Sequence, residues 1–116
     1  MAFSIEWRGM SQKSYTFKTF PDGQLFNAVA GVYIFCRPLA SGHWEALYVG
    51  ETQSLEERLN ANLSNHEGYK RAKQLGMTHI GVFRAAPPAQ RLAIEVDLIR
   101  GLNPSANIKN RLRGAG

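Results

Sequence analysis

The sequence predicts an α+β domain built on a mainly antiparallel sheet. Several short segments alternate apolar and polar residues as half-buried strands do, and three others repeat apolar residues at helical spacing. Neighbouring strand segments are joined by short stretches rich in Gly, Pro and Ser, as in hairpins. The resulting order is ββ(α)ββααβα.

The N-terminal "FSIEW" and "SYTFKTF" alternate around a break near Gly9, which predicts a hairpin over residues 3–20. "PDG" at 21–23 is a turn, and "QLFNAVA" is a short helix or an irregular connection. Strands follow over 31–37 and 45–50, joined through an exposed "PLASGHW" turn. After Gly50 the period changes: Leu55, Leu59 and Leu63 mark a helix, with Ser54 and Glu57 spaced as a capping box. "GYKRAKQLG" is a second helix, with Tyr69, Ala72 and Leu75 on one face and Gly76 as its stop. "HIGVF" returns to strand. Pro87 and Pro88 open a third helix that runs to about Gly101, because proline is tolerated in a first helical turn.

With 116 residues the chain can bury one modest core, so a single domain is expected over 1–116. No apolar run approaches the roughly 20 residues that span a bilayer, and the N-terminus carries no long apolar signal segment, so the expected location is cytoplasmic, with no membrane partner. The single cysteine, Cys36, excludes an internal disulfide and a multi-cysteine zinc site; its strand-like setting predicts a buried, inert thiol. Fourteen Lys and Arg against nine Asp and Glu give a net charge of +5, which favours a polyanionic partner through counterion release.

Two charged residues fall where apolar ones are expected. Projected at about 100° per residue, the third helix gathers Ile94, Leu98, Leu102, Ile99, Leu92 and Val96 on one arc, with Asp97 and Arg100 opposite. Glu95 lies near the middle of that arc, where an unpaired carboxylate is costly to desolvate. It is either paired with a buried arginine, at a core edge reaching solvent, or a metal or catalytic carboxylate. Arg58 flanks the leucine stripe of the first helix, and its aliphatic stem could equally cover the core edge.

These residues resemble the GIY-YIG endonuclease family. "GVY" at 31–33 matches the first signature and "YVG" at 48–50 the second; Arg58, Glu95 and the "LNPSAN" segment ending at Asn107 follow in order, so that residues 29–108 are covered. The resemblance implies a core at 29–108 with a small three-stranded antiparallel sheet flanked by helices, an extra N-terminal hairpin at 1–28 and a basic tail at 109–116. It also implies hydrolysis of nucleic-acid phosphodiesters with one divalent metal. On this basis Glu95 is the ligand of Mg2+ or Mn2+. Arg58 neutralises the scissile phosphate. Tyr33 and Tyr48 position or deprotonate the attacking water, with Tyr33 favoured as base and the opposite assignment open. Asn107 is a polar brace, and Gly31 and Gly50 allow close approach of backbone and substrate. Where family members carry a lysine after the second signature, this chain has Glu51, which either pairs with a basic residue or sits exposed at the strand end.

Among the histidines, His43 belongs to a solvated turn and His79 to structure. His66 follows the Arg58 helix, where some family nucleases place a base or phosphate ligand. Lys70, Arg71 and Lys73, with Gly50 and the tail residues Lys109, Arg111 and Arg113, are candidates for nucleic-acid contacts, which position without reading sequence. The expected function is a metal-dependent endonuclease acting on DNA with low sequence specificity, in DNA repair or restriction. The alternative is a catalytically weak domain that binds nucleic acid or a protein partner. RNA as substrate and the oligomeric state are open.

Overall fold

The computed structural model describes residues 2–107 of the chain. Its strands are β1 (Phe3–Arg8), β2 (Ser14–Pro21), β3 (Gly31–Pro38), β4 (Trp44–Thr52) and β5 (His79–Arg84). Its α-helices are α1 (Glu67–Gln74) and α2 (Pro88–Leu102), and short helical turns follow β4 and α2. The nucleic-acid candidates Lys109, Arg111 and Arg113 lie outside the described residues. Among the described residues no helix is long and apolar enough to cross a membrane.

All five strands form one antiparallel sheet in the order β1-β2-β5-β3-β4. This corrects the three-stranded sheet implied by the resemblance, in which the N-terminal hairpin was an addition. Without β2, the outer edge of β5 would leave a row of backbone donors and acceptors unpaired. β2 fills that edge with Lys18 opposite Val82 and Thr19 opposite Gly81, and its alternation buries Phe17 and Thr19 completely. The hairpin turn is also fastened to α2. Asp97 accepts hydrogen bonds from the Ser11 amide (2.8 Å), the Ser11 hydroxyl (2.6 Å) and the Tyr15 hydroxyl (2.8 Å). Asp97 is therefore a docking residue, not a free solvent-facing acid.

The sheet has a packed layer on each face. On one, Ile94 and Leu98 of α2 pack with Trp7, Phe17, Val32, Ile34, Cys36 and Val49. Burial there pushes the Cys36 thiol up to about 12, in keeping with an inert cysteine. On the other, Tyr33, Phe35, Leu47 and Ile80 pack beneath Leu55, Leu59 and Ala72. The apolar arc expected for α2 is only partly internal, because Leu92 and Val96 are 50% and 42% exposed.

The segment after β4 departs from the α-helix that the leucines predict. Residues 55 and 56 are α-helical, but Glu57–Ala61 is π-helical, closed by an Asn62 N–H bond to the Glu57 carbonyl at 2.9 Å. A 3-10 turn, Leu63–Asn65, follows. Only half of the capping box forms: Ser54 Oγ accepts from the Glu57 amide (3.2 Å), while the Ser54 amide donates to Thr52 Oγ1 instead of to Glu57. Residues 24–30 have no regular structure, which settles the open choice at "QLFNAVA". Gly76 ends α1 with φ of 93°, as a C-terminal glycine should.

Candidate active site

Tyr33 and Tyr48 reach one face of the sheet by different routes. Tyr33 is paired in register with Gly50, and Tyr48 with Phe35, so the two phenols are diagonal neighbours with ring centroids 6.2 Å apart, not a direct cross-strand pair. Strict alternation along "ALYV" would send Leu47 and Tyr48 to opposite faces. An irregularity between Phe35 and Cys36 leaves Leu47 as the extra residue of β4, and both Leu47 and Tyr48 join the layer around Tyr33. Bulges commonly re-aim a side chain in this way.

Gly50 is buried, and a Cβ there would lie 2.5 Å from Cζ and Oη of Tyr33. The absence of a side chain there admits the Tyr33 ring. Gly31 likewise makes room for protein: a Cβ on it would sit 2.7 Å from the Phe83 carbonyl oxygen. Gly68 does for Tyr48 what Gly50 does for Tyr33, since a Cβ there would run into the Tyr48 ring.

His66 and Arg58 converge on the Tyr33 hydroxyl. His66 is fully buried and caps α1, its Nδ1 accepting from the Tyr69 amide at 3.2 Å. Burial, with the charges of Arg58 and Arg71, pulls the imidazole down to about 4, so the ring is neutral at pH 7. With Nδ1 occupied as an acceptor, the single ring proton sits on Nε2, 2.7 Å from the Tyr33 oxygen. Arg58 Nε, carried on the π-helical turn, donates to the same oxygen at 3.4 Å. Tyr33 thus receives two donors. Its ring is 1% exposed, and this burial raises its pKa well above the ordinary value; Tyr48 raises it further and Arg58 lowers it in part. Tyr48 is less enclosed. Burial raises its pKa as well, and the charge of Arg58 lowers it.

Glu95 approaches from α2, which packs against the edge strand β4 from the opposite face. It is close enough to raise the pKa of both phenols. Its own carboxyl is pushed up to about 7, by burial first and then by the charge of Glu51. The buried arginine that might have neutralised it is present but engaged elsewhere. Arg91, one turn earlier, donates Nε to Glu51 at 2.9 Å and Nη1 to the carbonyls of Ala86 (2.6 Å) and Ala85 (3.3 Å). Glu51 is therefore an ion-pair partner, not an exposed strand-end acid. No hydrogen bond or ion pair among the described residues engages the Glu95 carboxylate.

The remaining candidates separate. Asn107 is 1% exposed and uses its whole amide on Val49, accepting from its N–H (2.8 Å) and donating to its carbonyl (3.0 Å). It completes the outer edge of β4 beside Tyr48, as a polar brace would. Arg71 donates to the Ala106 carbonyl (3.0 Å), and its charge reaches both His66 and Tyr48. Lys70 and Lys73 do not join it: Lys70 pairs with Glu67 at 3.2 Å, and Lys73 with Asp22 at 2.8 Å. His43 is exposed, and His79 stacks edge-on against Phe3 and Trp44. Neither Arg91 nor Gly68 belongs to a recognisable motif. Arg91 could have been found from its place one turn before Glu95; Gly68 gives no signal until the Tyr48 ring is seen above it.

No family model matches the chain, and no curated protein does. Among solved structures, the GIY-YIG N-terminal endonuclease domain of UvrC from Thermotoga maritima, a point mutant bound to its catalytic divalent cation, is similar with a TM-score of 0.57. The two share 22% identity over 70% of this chain and 84% of that one. The chain has the fold of that domain.

Proposed function

We propose that this chain, with its GIY-YIG fold, is an endonuclease that hydrolyses DNA phosphodiester bonds with one bound Mg2+ or Mn2+. The carrying observation is the convergence at β4 of two phenols, the Arg58 cation and a half-buried Glu95 that no cation among the described residues neutralises. A partly desolvated carboxylate without a partner is a strong acceptor for a cation. One protein oxygen can hold a hard ion that keeps most of its waters. When bound at Glu95, the ion would add positive charge at the scissile phosphate.

The chain's own residues have separate tasks. Arg58 meets the negative charge that builds on the phosphate. Tyr33 takes the proton of the attacking water, because two donors point at its oxygen and offset part of the burial that disfavours the phenolate. Tyr48, stacked beside it and nearer solvent, orients the phosphate. Arg71 adds charge at the rim. Groups that engage phosphates rather than base edges give cleavage with little sequence preference.

The test is nicking of supercoiled plasmid in Mg2+ or Mn2+ by the wild type beside Glu95→Ala. Cleavage by the wild type alone is expected. Cleavage that survives in Glu95→Ala would refute the metal site, and no cleavage of DNA or RNA by the wild type would refute the nuclease.

A further inference from the structure

Most cations near the site have protein partners, whereas a second group across the sheet does not. Register partners on adjacent strands share a face, and one line runs Ser4, Lys18, Val82, Tyr33, Gly50 across all five strands. Lys18 therefore stands on the Tyr33 face, two strand spacings or about 10 Å away. In the neighbouring line Glu6 pairs with Thr16, and Arg84 with Gly31. The helical segments cover only the β3–β4 half of this face. Over β1 and β2, Ser4, Glu6, Arg8, Thr16 and Lys18 are exposed, as is Arg84 on β5.

Ser4, Thr16, Lys18, Val82 and Arg84 line a shallow groove there. The charged groups on this face are Arg8, Lys18 and Arg84 against the one carboxylate of Glu6. None of the three cations has an ion-pair or hydrogen-bond partner among the described residues, unlike Lys70, Lys73 and Arg91. A cation without a partner can meet a phosphate without first breaking an ion pair, and it gains the full release of condensed counterions.

We propose that this open face is a track for the DNA backbone: Lys18 and Arg84, aided by the hydroxyls of Ser4 and Thr16, hold phosphates of the strand that is cut at the Tyr33–Arg58 site. The occupant follows from the charge of the face. The track rests on the nuclease function proposed above and extends it to the substrate grip. The hairpin that completes the sheet thereby becomes part of the interface.

Fluorescence anisotropy with a labelled duplex oligonucleotide tests this, with divalent cations withheld so that the strand is not cut. The proteins compared are the wild type, Lys18→Gln/Arg84→Gln and the control Arg100→Gln, which removes an exposed cation on α2. Because both altered residues are exposed, unchanged circular dichroism is expected; if the double variant fails to fold, the two single variants carry the same test. The double variant should bind on the order of tenfold more weakly at 0.1 M salt, and its plot of log affinity against log salt should be shallower by about two. Arg100→Gln should stay close to the wild type. Equal affinity and slope in a folded double variant would overturn the track and leave the nuclease standing. Absence of binding by the wild type would overturn both.

Discussion

The Tyr33 hydroxyl and His66 Nε2 are 2.7 Å apart, and the histidine is the donor of that bond. The Tyr69 amide holds Nδ1 as an acceptor and the ring is neutral, so His66 cannot take a proton from Tyr33. His66 thus orients the Tyr33 phenol.

A pH–rate profile follows from this arrangement. Burial holds the Tyr33 phenol above its ordinary value, and Arg58 only partly offsets that rise. The phenolate is scarce at neutrality, so the nicking rate should climb with pH between about 7 and 9 with a logarithmic slope of about one. Tyr33→Phe should abolish the climb and lower the rate by about 10²–10⁴. If Tyr33→Phe retains the climb and Tyr48→Phe loses it, Tyr48 is the base.

The two buried glycines predict separable defects. An alanine methyl at Gly50 would lie 2.5 Å from the Tyr33 hydroxyl, and one at Gly68 would strike the Tyr48 ring. Each substitution should destabilise the protein by about 1–3 kcal/mol through overpacking. Each should also lower the cleavage rate, Gly50→Ala through Tyr33 and Gly68→Ala through Tyr48. Urea unfolding and single-turnover cleavage measure the two effects. A destabilised Gly50→Ala protein that still cleaves at the wild-type rate would show that the exact seat of Tyr33 does not matter.

Much of this site is visible in the sequence for a physical reason. Glu95 stands out because a carboxylate on an apolar helix face is improbable without a task, and Tyr33 and Tyr48 because each interrupts a strand beside a glycine. The five strands were visible too, yet their single sheet was not. Antiparallel pairing of β2 with β5 joins segments separated by more than half the chain, and local periodicity carries no information about such partners. The π-helical turn escaped as well: Leu55, Leu59 and Leu63 satisfy an α-helical period, and only the observed Asn62 to Glu57 bond distinguishes the wider turn that carries Arg58. The pairing of Glu51 with Arg91 depends on the same long-range geometry.

That ion pair should be sensitive to truncation. The Arg91 side chain is 7% exposed and holds Glu51 together with two carbonyls at the start of α2. Arg91→Met leaves a partly buried carboxylate beside Glu95 and frees both carbonyls, which should cost about 3 kcal/mol or more. Glu51→Gln keeps a hydrogen-bond acceptor for Arg91 and should cost less. Chemical denaturation at neutral pH gives both values, and an Arg91→Met protein as stable as the wild type would remove this pair as a determinant of the fold.

His66 predicts a stability change on the acid side. In the unfolded chain a histidine titrates near 6.5, whereas in the fold it is held down to about 4. Between these values the unfolded state binds more protons, so the contribution is fully present above about 6.5 and is lost as pH falls to about 4. The loss should be at most about 3 kcal/mol, from 1.36 kcal/mol per unit. Tyr33, Tyr48, Arg58, Arg71 and Glu67 all face the ring or act on it. Glu95 works in the opposite direction, because its carboxyl is raised to about 7 and stability from it declines as pH rises from the ordinary carboxylate range. The total slope therefore mixes opposed signs. Comparing the wild type with His66→Gln by urea unfolding at pH 4.5, 5.5 and 7 isolates the histidine, since both proteins keep Glu95 and Gln can still donate to the Tyr33 oxygen. The difference in stability between the two should shrink as pH falls. A difference that stays constant across this range would mean that His66 is not held neutral in the fold, and with it the donor role toward Tyr33 would fail.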